Sequence, residues 1–223
     1  GPPAGGKTTF ISNAPGVLFL STEPAGVAHL DAMVMDCSRS WGQFVDALKQ
    51  LKTKDAERFK VVVVDTFDSL VALSEAHHQG GKPGESNRAL RTAISQLHAL
   101  AFGRFGVVWL CHQQTKEYHD PSFSQPVAWR EQPRGGRAYQ RVEPKDYHKA
   151  PCQLIVQLCS VVARISIDPK GQRIIECPPA GGPVLSKQRL SKGQLPAVQP
   201  LDYQGYVQSF RDAYKDPAPA GGE

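Results

Sequence analysis

Gly1-Pro2-Pro3-Ala4-Gly5-Gly6-Lys7-Thr8, followed by Thr9, places glycine, lysine and threonine at the spacing G-x-x-x-x-G-K-[ST]. Residues in that order can hold a polyphosphate. Glycines let successive backbone N–H groups approach phosphate oxygens closely and form an anion-binding concavity. The start of a helix behind them adds partial positive charge beneath the same phosphates. Lys7 then reaches the β- and γ-phosphates, and the Thr8 hydroxyl ligates Mg²⁺. A second signal lies downstream in Val61-Val62-Val63-Val64-Asp65, four apolar residues closed by a carboxylate. At the C-terminal edge of a buried strand, Asp65 stands beside such a loop, where the metal and its waters sit. Glu23 closes the earlier run Leu18 to Thr22. It can polarise the water that attacks the γ-phosphate, or it can be a solvated loop residue.

These residues need a sheet to bring them together, and the apolar pattern supplies one. Strands are predicted at Val17–Ser21, Met33–Cys37, Val61–Asp65 and Gly106–Cys111. Between them Trp41, Phe44, Val45, Leu48 and Leu51 recur at helical spacing behind Ser40 as N-cap, and Leu90, Ile94, Leu97 and Ala101 mark a second amphipathic helix. Strands separated by helices imply parallel βαβ units, so the fold class is α/β with a mainly parallel sheet flanked by helices. The last third changes character. Ser160–Ile167 alternates as an ordinary strand, Gly171 marks a turn, Arg173–Cys177 is its hairpin partner, and a short strand falls near Val184–Lys187. Tyr203–Tyr214 reads as a C-terminal helix. Two stretches resist regular structure, Ala76–Ser86 and Thr115–Asp146.

A length of 223 residues suits one large domain, assigned to 1–215, with a disordered Pro/Ala/Gly-rich tail over 216–223. No residue precedes Gly1 and the chain has no initiator Met, so it reads as truncated, without the strand that normally leads into such a loop. No apolar run reaches the ~20 residues that span a membrane. The five cysteines form no C-x-x-C pair, which favours reduced core thiols in a cytoplasmic protein over a zinc site. Net charge is +5, and between Ala128 and Lys149 the basic Arg130, Arg134, Arg137, Arg141, Lys145 and Lys149 outweigh Glu131, Glu143 and Asp146. That segment also holds Trp129, Tyr139 and Tyr147. Cations that neutralise phosphates beside aromatic faces that stack on bases suit single-stranded nucleic acid, although a solvated loop has the same composition.

In combination, the loop, the strand ending Thr-Glu-Pro-Ala, the strand ending Val-Asp-Thr and the strand ending Cys-His-Gln resemble the RecA-like ATPase core. Within that group the chain is most similar to phage-type AAA nucleotide-binding or single-strand-annealing ATPases, over roughly residues 1 to 195. The resemblance implies a RecA-like P-loop NTPase with an antiparallel C-terminal extension, binding ATP and Mg²⁺ through Gly1 to Thr9 and Asp65. It implies that Glu23 activates the hydrolytic water. Gln113 takes the place of the residue that senses the γ-phosphate, with His112 and Gln114 as alternatives. It places the two irregular stretches as mobile loops facing DNA, with Arg130, Arg134, Arg137, Arg141 and Tyr139 as contacts. Lys187 and Arg189 are similar to a Lys-x-Arg element that reaches a neighbouring subunit's γ-phosphate, implying a homo-oligomer with shared active sites. The expected protein is an ATPase acting on single-stranded DNA in phage-type recombination or annealing, in the cytoplasm of a bacterial or phage-infected cell. A DnaB-like helicase module shares every nucleotide residue. A KaiC-type regulatory protein would use the loops to bind protein, and a small-molecule kinase would need an acceptor pocket and lid that the sequence does not locate.

Overall fold

The structure is a computed structural model that describes residues 5–120, 130–131, 137–145, 149–177, 187–188, 190 and 194–214. The chain packs as two compact units. One comprises Gly6–His112 and Asp146–Leu158, the other Gly1–Gly5, Gln113–Lys145 and Cys159–Glu223. The sequence predicts one domain over 1–215. The chain leaves the first unit after His112 and re-enters it for a single helix, and no Gly/Pro/Ser linker marks either crossing. The predicted tail, 216–223, lies outside the described residues.

The first unit is the α/β body. Its elements are α1 (Lys7–Ser12), β1 (Val17–Ser21), α2 (Pro24–Val27), β2 (Met33–Asp36), α3 (Trp41–Gln50), β3 (Val61–Asp65), α4 (Phe67–His77), α5 (Glu85–Ala101) and β4 (Gly106–Leu110). The four strands form one parallel sheet in the order β2-β1-β3-β4. All five residues of β1 are buried, as are four of the five in β3. Continuous apolar runs are what a strand covered on both faces requires. β2 differs: Met33 and Val34 are exposed, because it forms an edge of the sheet.

Helix α3 starts where the sequence places it. The Ser40 side chain accepts a hydrogen bond from the Gln43 N–H at 3.3 Å, and Trp41, Phe44, Ala47 and Leu48 turn inward. Gly16, entering β1, has φ +60, and a Cβ there would meet the Arg58 carbonyl at 3.1 Å. Only glycine accepts both that conformation and that approach. Trp109 of β4 sets its ring edge-on to Phe67 of α4, centroids 5.9 Å apart, and donates its indole N–H to His98 Nε2 of α5 at 3.1 Å. Burial holds His98 below its ordinary pKa, which keeps that acceptor neutral.

The second unit is antiparallel. β5 (Gln113–Asp120), β6 (Arg130–Glu131) and β7 (Arg137–Pro144) form one sheet in the order β5-β7-β6. The stretch expected to be irregular thus contains an eight-residue ribbon, in which Gln113 pairs with Pro144 and Asp120 with Arg137. Its sequence is polar at nearly every position, so the apolar alternation by which strands are recognised is missing. α6 (Ala150–Leu158), which the sequence does not single out, returns to the first unit and packs on α5, with Lys149 paired to Glu75 at 2.7 Å. Then come β8 (Val161–Val162), β9 (Arg164–Ile167), β10 (Arg173–Glu176), β11 (Lys187–Gln188), β12 (Val198–Pro200) and α7 (Tyr203–Tyr214). The β9–β10 hairpin and α7 lie where the sequence puts them. Among the described residues no helix is long and apolar enough to cross a membrane.

Phe19 is fully buried in β1, between β2 and β3. Truncating a buried aromatic costs about 3–5 kcal/mol. Phe19→Ala is therefore expected to lower the stability measured by urea unfolding by that amount at unchanged slope; an unshifted midpoint would show that β1 does not carry the core.

Candidate functional site

The strand register determines where the polar residues fall. Ser21 lies opposite Asp65, and Asp65 opposite Leu110, so β1, β3 and β4 end level. The residues just past the three strand ends therefore share one row: Thr22-Glu23, Thr66 and Cys111-His112. The C-terminal edge of a parallel sheet is where α/β proteins gather their ligands.

Thr22 fastens two of these strand ends. Its N–H donates to the Asp65 carbonyl at 2.8 Å, and its Oγ1 accepts from the Thr66 N–H at 2.8 Å. Glu23, next along, directs its carboxylate to the start of α4, where Oε1 accepts from Ser69 Oγ at 2.5 Å and from Thr66 Oγ1 at 3.0 Å. Burial alone would raise the Glu23 pKa. The two hydroxyls, with His112 and Lys7 nearby, outweigh it and hold the carboxyl below its ordinary value.

Across the row, Gly6 caps α1 in the left-handed region at φ 84, the conformation a glycine supplies without strain. Lys7 and Thr8 open the helix. Thr8 Oγ1 donates to Asp65 Oδ2 at 2.9 Å, joining the glycine-rich turn to the end of β3 across 57 residues of sequence. Asp65 is buried, and that desolvation raises its pKa despite the Thr8 hydrogen bond and the Lys7 charge. Lys7 is shifted down by its own burial, against the opposing pull of Asp65, Asp68, Cys111 and Glu23. Thr9 is exposed, and its carbonyl accepts from Ser12 Oγ at 2.8 Å and Asn13 Nδ2 at 2.9 Å, closing the short helix.

Lys7, Thr8, Glu23 and Asp65 are therefore brought together in one unit. A hydroxyl and a carboxylate 2.9 Å apart are hard oxygen donors. Magnesium is typically held by one or two such protein oxygens, with phosphate and water completing the octahedron, and the described residues contain no group of three or more His, Cys, Asp or Glu that could cage a metal. The residues fit Mg²⁺ delivered with a polyphosphate.

The other predicted site residues distribute differently. Gln113 belongs to the second unit, where its Oε1 accepts from Arg164 Nε at 3.2 Å. Lys187 lies in β11, paired with Val162, and its neighbour Gln188 bridges the Cys177 carbonyl and the Leu195 N–H, each at 2.7 Å. Arg137, Tyr139 and Arg141 take alternate positions of β7, and Arg130 stands opposite Tyr139. Gly1, Pro2, Pro3, Ala4, Arg134 and Arg189 lie outside the described residues. The sequence assigns no role to Thr22, Thr66, Asp68 or Ser69. Their one local signal is that hydroxyl and acidic residues cluster immediately after two strands, Ser-Thr-Glu and Asp-Thr-Phe-Asp-Ser.

A parallel sheet whose C-terminal edge joins a Gly-Lys-Thr turn to the carboxylate of a buried strand is a P-loop NTPase fold. A family model described as AAA domain matches residues 1–189, and the chain belongs to that family: it is a nucleotide-binding domain of the ATPase type. No curated protein matches the chain.

A carboxyl whose pKa is depressed in the fold contributes stability above its ordinary titration range, and loses it as pH falls through the folded value. Removing the Ser69 hydroxyl takes away a donor that favours the charged form of Glu23. Ser69→Ala should therefore move the Glu23 titration upward, read from its carboxyl resonance by NMR; an unmoved midpoint would sever Ser69 from Glu23.

Proposed function

We propose that the protein binds ATP with Mg²⁺, hydrolyses it, and couples that cycle to single-stranded DNA in phage-type recombination or annealing. The observation that carries the nucleotide reading is the Thr8–Asp65 hydrogen bond at the end of β3, with Glu23 anchored in the same row. Lys7 supplies the charge for the β- and γ-phosphates, and Thr8 and Asp65 hold the metal. Mg²⁺ bound there neutralises charge on the transferring phosphoryl group. Glu23 keeps its charged form, as a group that accepts a proton from the attacking water must. Its hydroxyl anchors fix the carboxylate at the strand edge and leave lone pairs to receive that proton.

The DNA reading is supported by composition. The segment around the β5–β7 ribbon concentrates Arg130, Arg134, Arg137 and Arg141 with Tyr139, cations for phosphate and a ring for stacking. Lys187 and Arg189 are proposed as the pair that reaches a neighbouring copy's nucleotide, so that the active site is completed on assembly. Gln113 is proposed as the link between the nucleotide and the ribbon, since it opens β5 directly after the strand-end row.

Turnover measured with and without single-stranded DNA tests the whole reading. Lys7→Ala should abolish nucleotide binding. Glu23→Gln should keep binding and lower turnover by about 10²–10⁴-fold, the usual worth of a positioned base. If both variants turn over like the natural protein, the site is misassigned. Replacing Arg134, Arg137 and Arg141 by Ala should weaken DNA binding at every sequence and reduce the salt slope by roughly three. Turnover indifferent to DNA, with ATP-driven assembly retained, would move the protein to a regulatory, protein-binding role.

A further inference from the structure

The end of β4 carries a pair outside the catalytic assignment above. Asp68, in the first turn of α4, has a side chain only 4% exposed. Its Oδ2 accepts from two donors on one residue, the backbone N–H of His112 at 2.8 Å and His112 Nδ1–H at 2.8 Å. Its Oδ1 is buried with no hydrogen-bond partner among the described residues. A buried carboxylate kept only to tie down a loop would be expected to satisfy both oxygens, since an orphaned one is costly.

His112 is held by main chain and ring together. With Nδ1 committed to Asp68, the imidazole has one orientation and one remaining nitrogen, Nε2, to offer. The ring is 27% exposed, so Nε2 is within reach of a ligand. It stands near the groups expected to act on the nucleotide: both Glu23 and Asp65 respond to its charge, and Lys7 responds to that of Asp68. A buried carboxylate behind an imidazole stabilises the imidazolium, which donates through Nε2–H to an anionic oxygen. Gln113, the residue favoured by the resemblance, already has its amide oxygen engaged by Arg164.

We propose that the Asp68–His112 pair reads the terminal phosphate of the bound nucleotide, with His112 Nε2 touching the phosphate and Asp68 as the positioning residue that orients the imidazole. The assignment rests on the ATP reading above. It gives the site a way to distinguish triphosphate from diphosphate at the strand that leads directly into β5.

The test is equilibrium binding of Mg·ADP and of a non-hydrolysable Mg·ATP analogue to the natural protein and to His112→Ala, Asp68→Asn, the double variant and Gln113→Ala. His112→Ala should lose about tenfold in affinity for the triphosphate, one charge-assisted contact, while ADP affinity stays within about twofold. Asp68→Asn should reproduce part of that loss, and the double variant should be no worse than His112→Ala alone, since the two act as one unit. Equal losses for both nucleotides, additive losses in the double variant, or selective loss in Gln113→Ala instead would each overturn the proposal. If Asp68→Asn does not fold, as judged by its thermal melt, the two nucleotide affinities of His112→Ala decide alone. A natural protein that binds both nucleotides alike removes the discrimination and this proposal, yet leaves the ATP site standing. One that binds neither overturns the ATP reading itself.

Discussion

Everything in the site depends on three parallel strands ending at the same level. Parallel pairing is set by backbone hydrogen bonds, and a slip of one residue would turn each side chain to the opposite face of the sheet. Here the register is held by burial on both faces of β1 and β3, which leaves no alternative placement that keeps Phe19, Leu20, Val62 and Val63 out of water. Given that register, Thr22 falls beside Asp65 and Thr66, and its backbone and hydroxyl extend the ladder beyond the last strand residue. Apolar packing thus fixes the position of polar groups that could not hold themselves there.

The hydroxyl groups then divide the carboxylates into different environments. Glu23 accepts from two hydroxyls at a half-open position and stays charged. Asp65 accepts from one hydroxyl, sits deeper, and is pushed toward its neutral form by burial. Asp68, also buried, gives one oxygen wholly to His112. Placing titratable groups in contrasting environments is how a fold separates metal holding from proton handling without different residue types.

Much of this was legible in the sequence, and the limits follow from range. Val61–Asp65 and Val17–Ser21 are local apolar runs, Ser40 is a local cap, and Gly6-Lys7-Thr8 is a local motif; each needs only its immediate neighbours to be recognised. The contacts of Glu23 with Thr66 and Ser69 join residues 43 and 46 positions apart, and that of Asp68 with His112 spans 44, so no local pattern announces them. The β5–β7 ribbon is local but polar, and its strands are defined by backbone pairing rather than by an apolar face. Helix α6 is apolar but short, and what identifies it is the α5 surface on which it lies.

The charge balance of the row explains why a cation must accompany the nucleotide. Glu23, Asp65 and Asp68 set three carboxylates around the ammonium of Lys7, whose burial already lowers its hold on a proton. A polyphosphate approaching that row meets net repulsion unless positive charge arrives with it or the carboxylates are otherwise engaged. A divalent ion at Thr8 and Asp65 offsets the anion and reverses the drift of Asp65 toward neutrality, because a nearby positive charge favours the ionised carboxyl. The ammonium of Lys7 gains in the same step, since phosphate oxygens replace water lost on burial. Metal, nucleotide and lysine are consequently linked, each strengthening the charged state on which the others depend, and the carboxylates of the row favour their joint arrival over the arrival of either ligand alone.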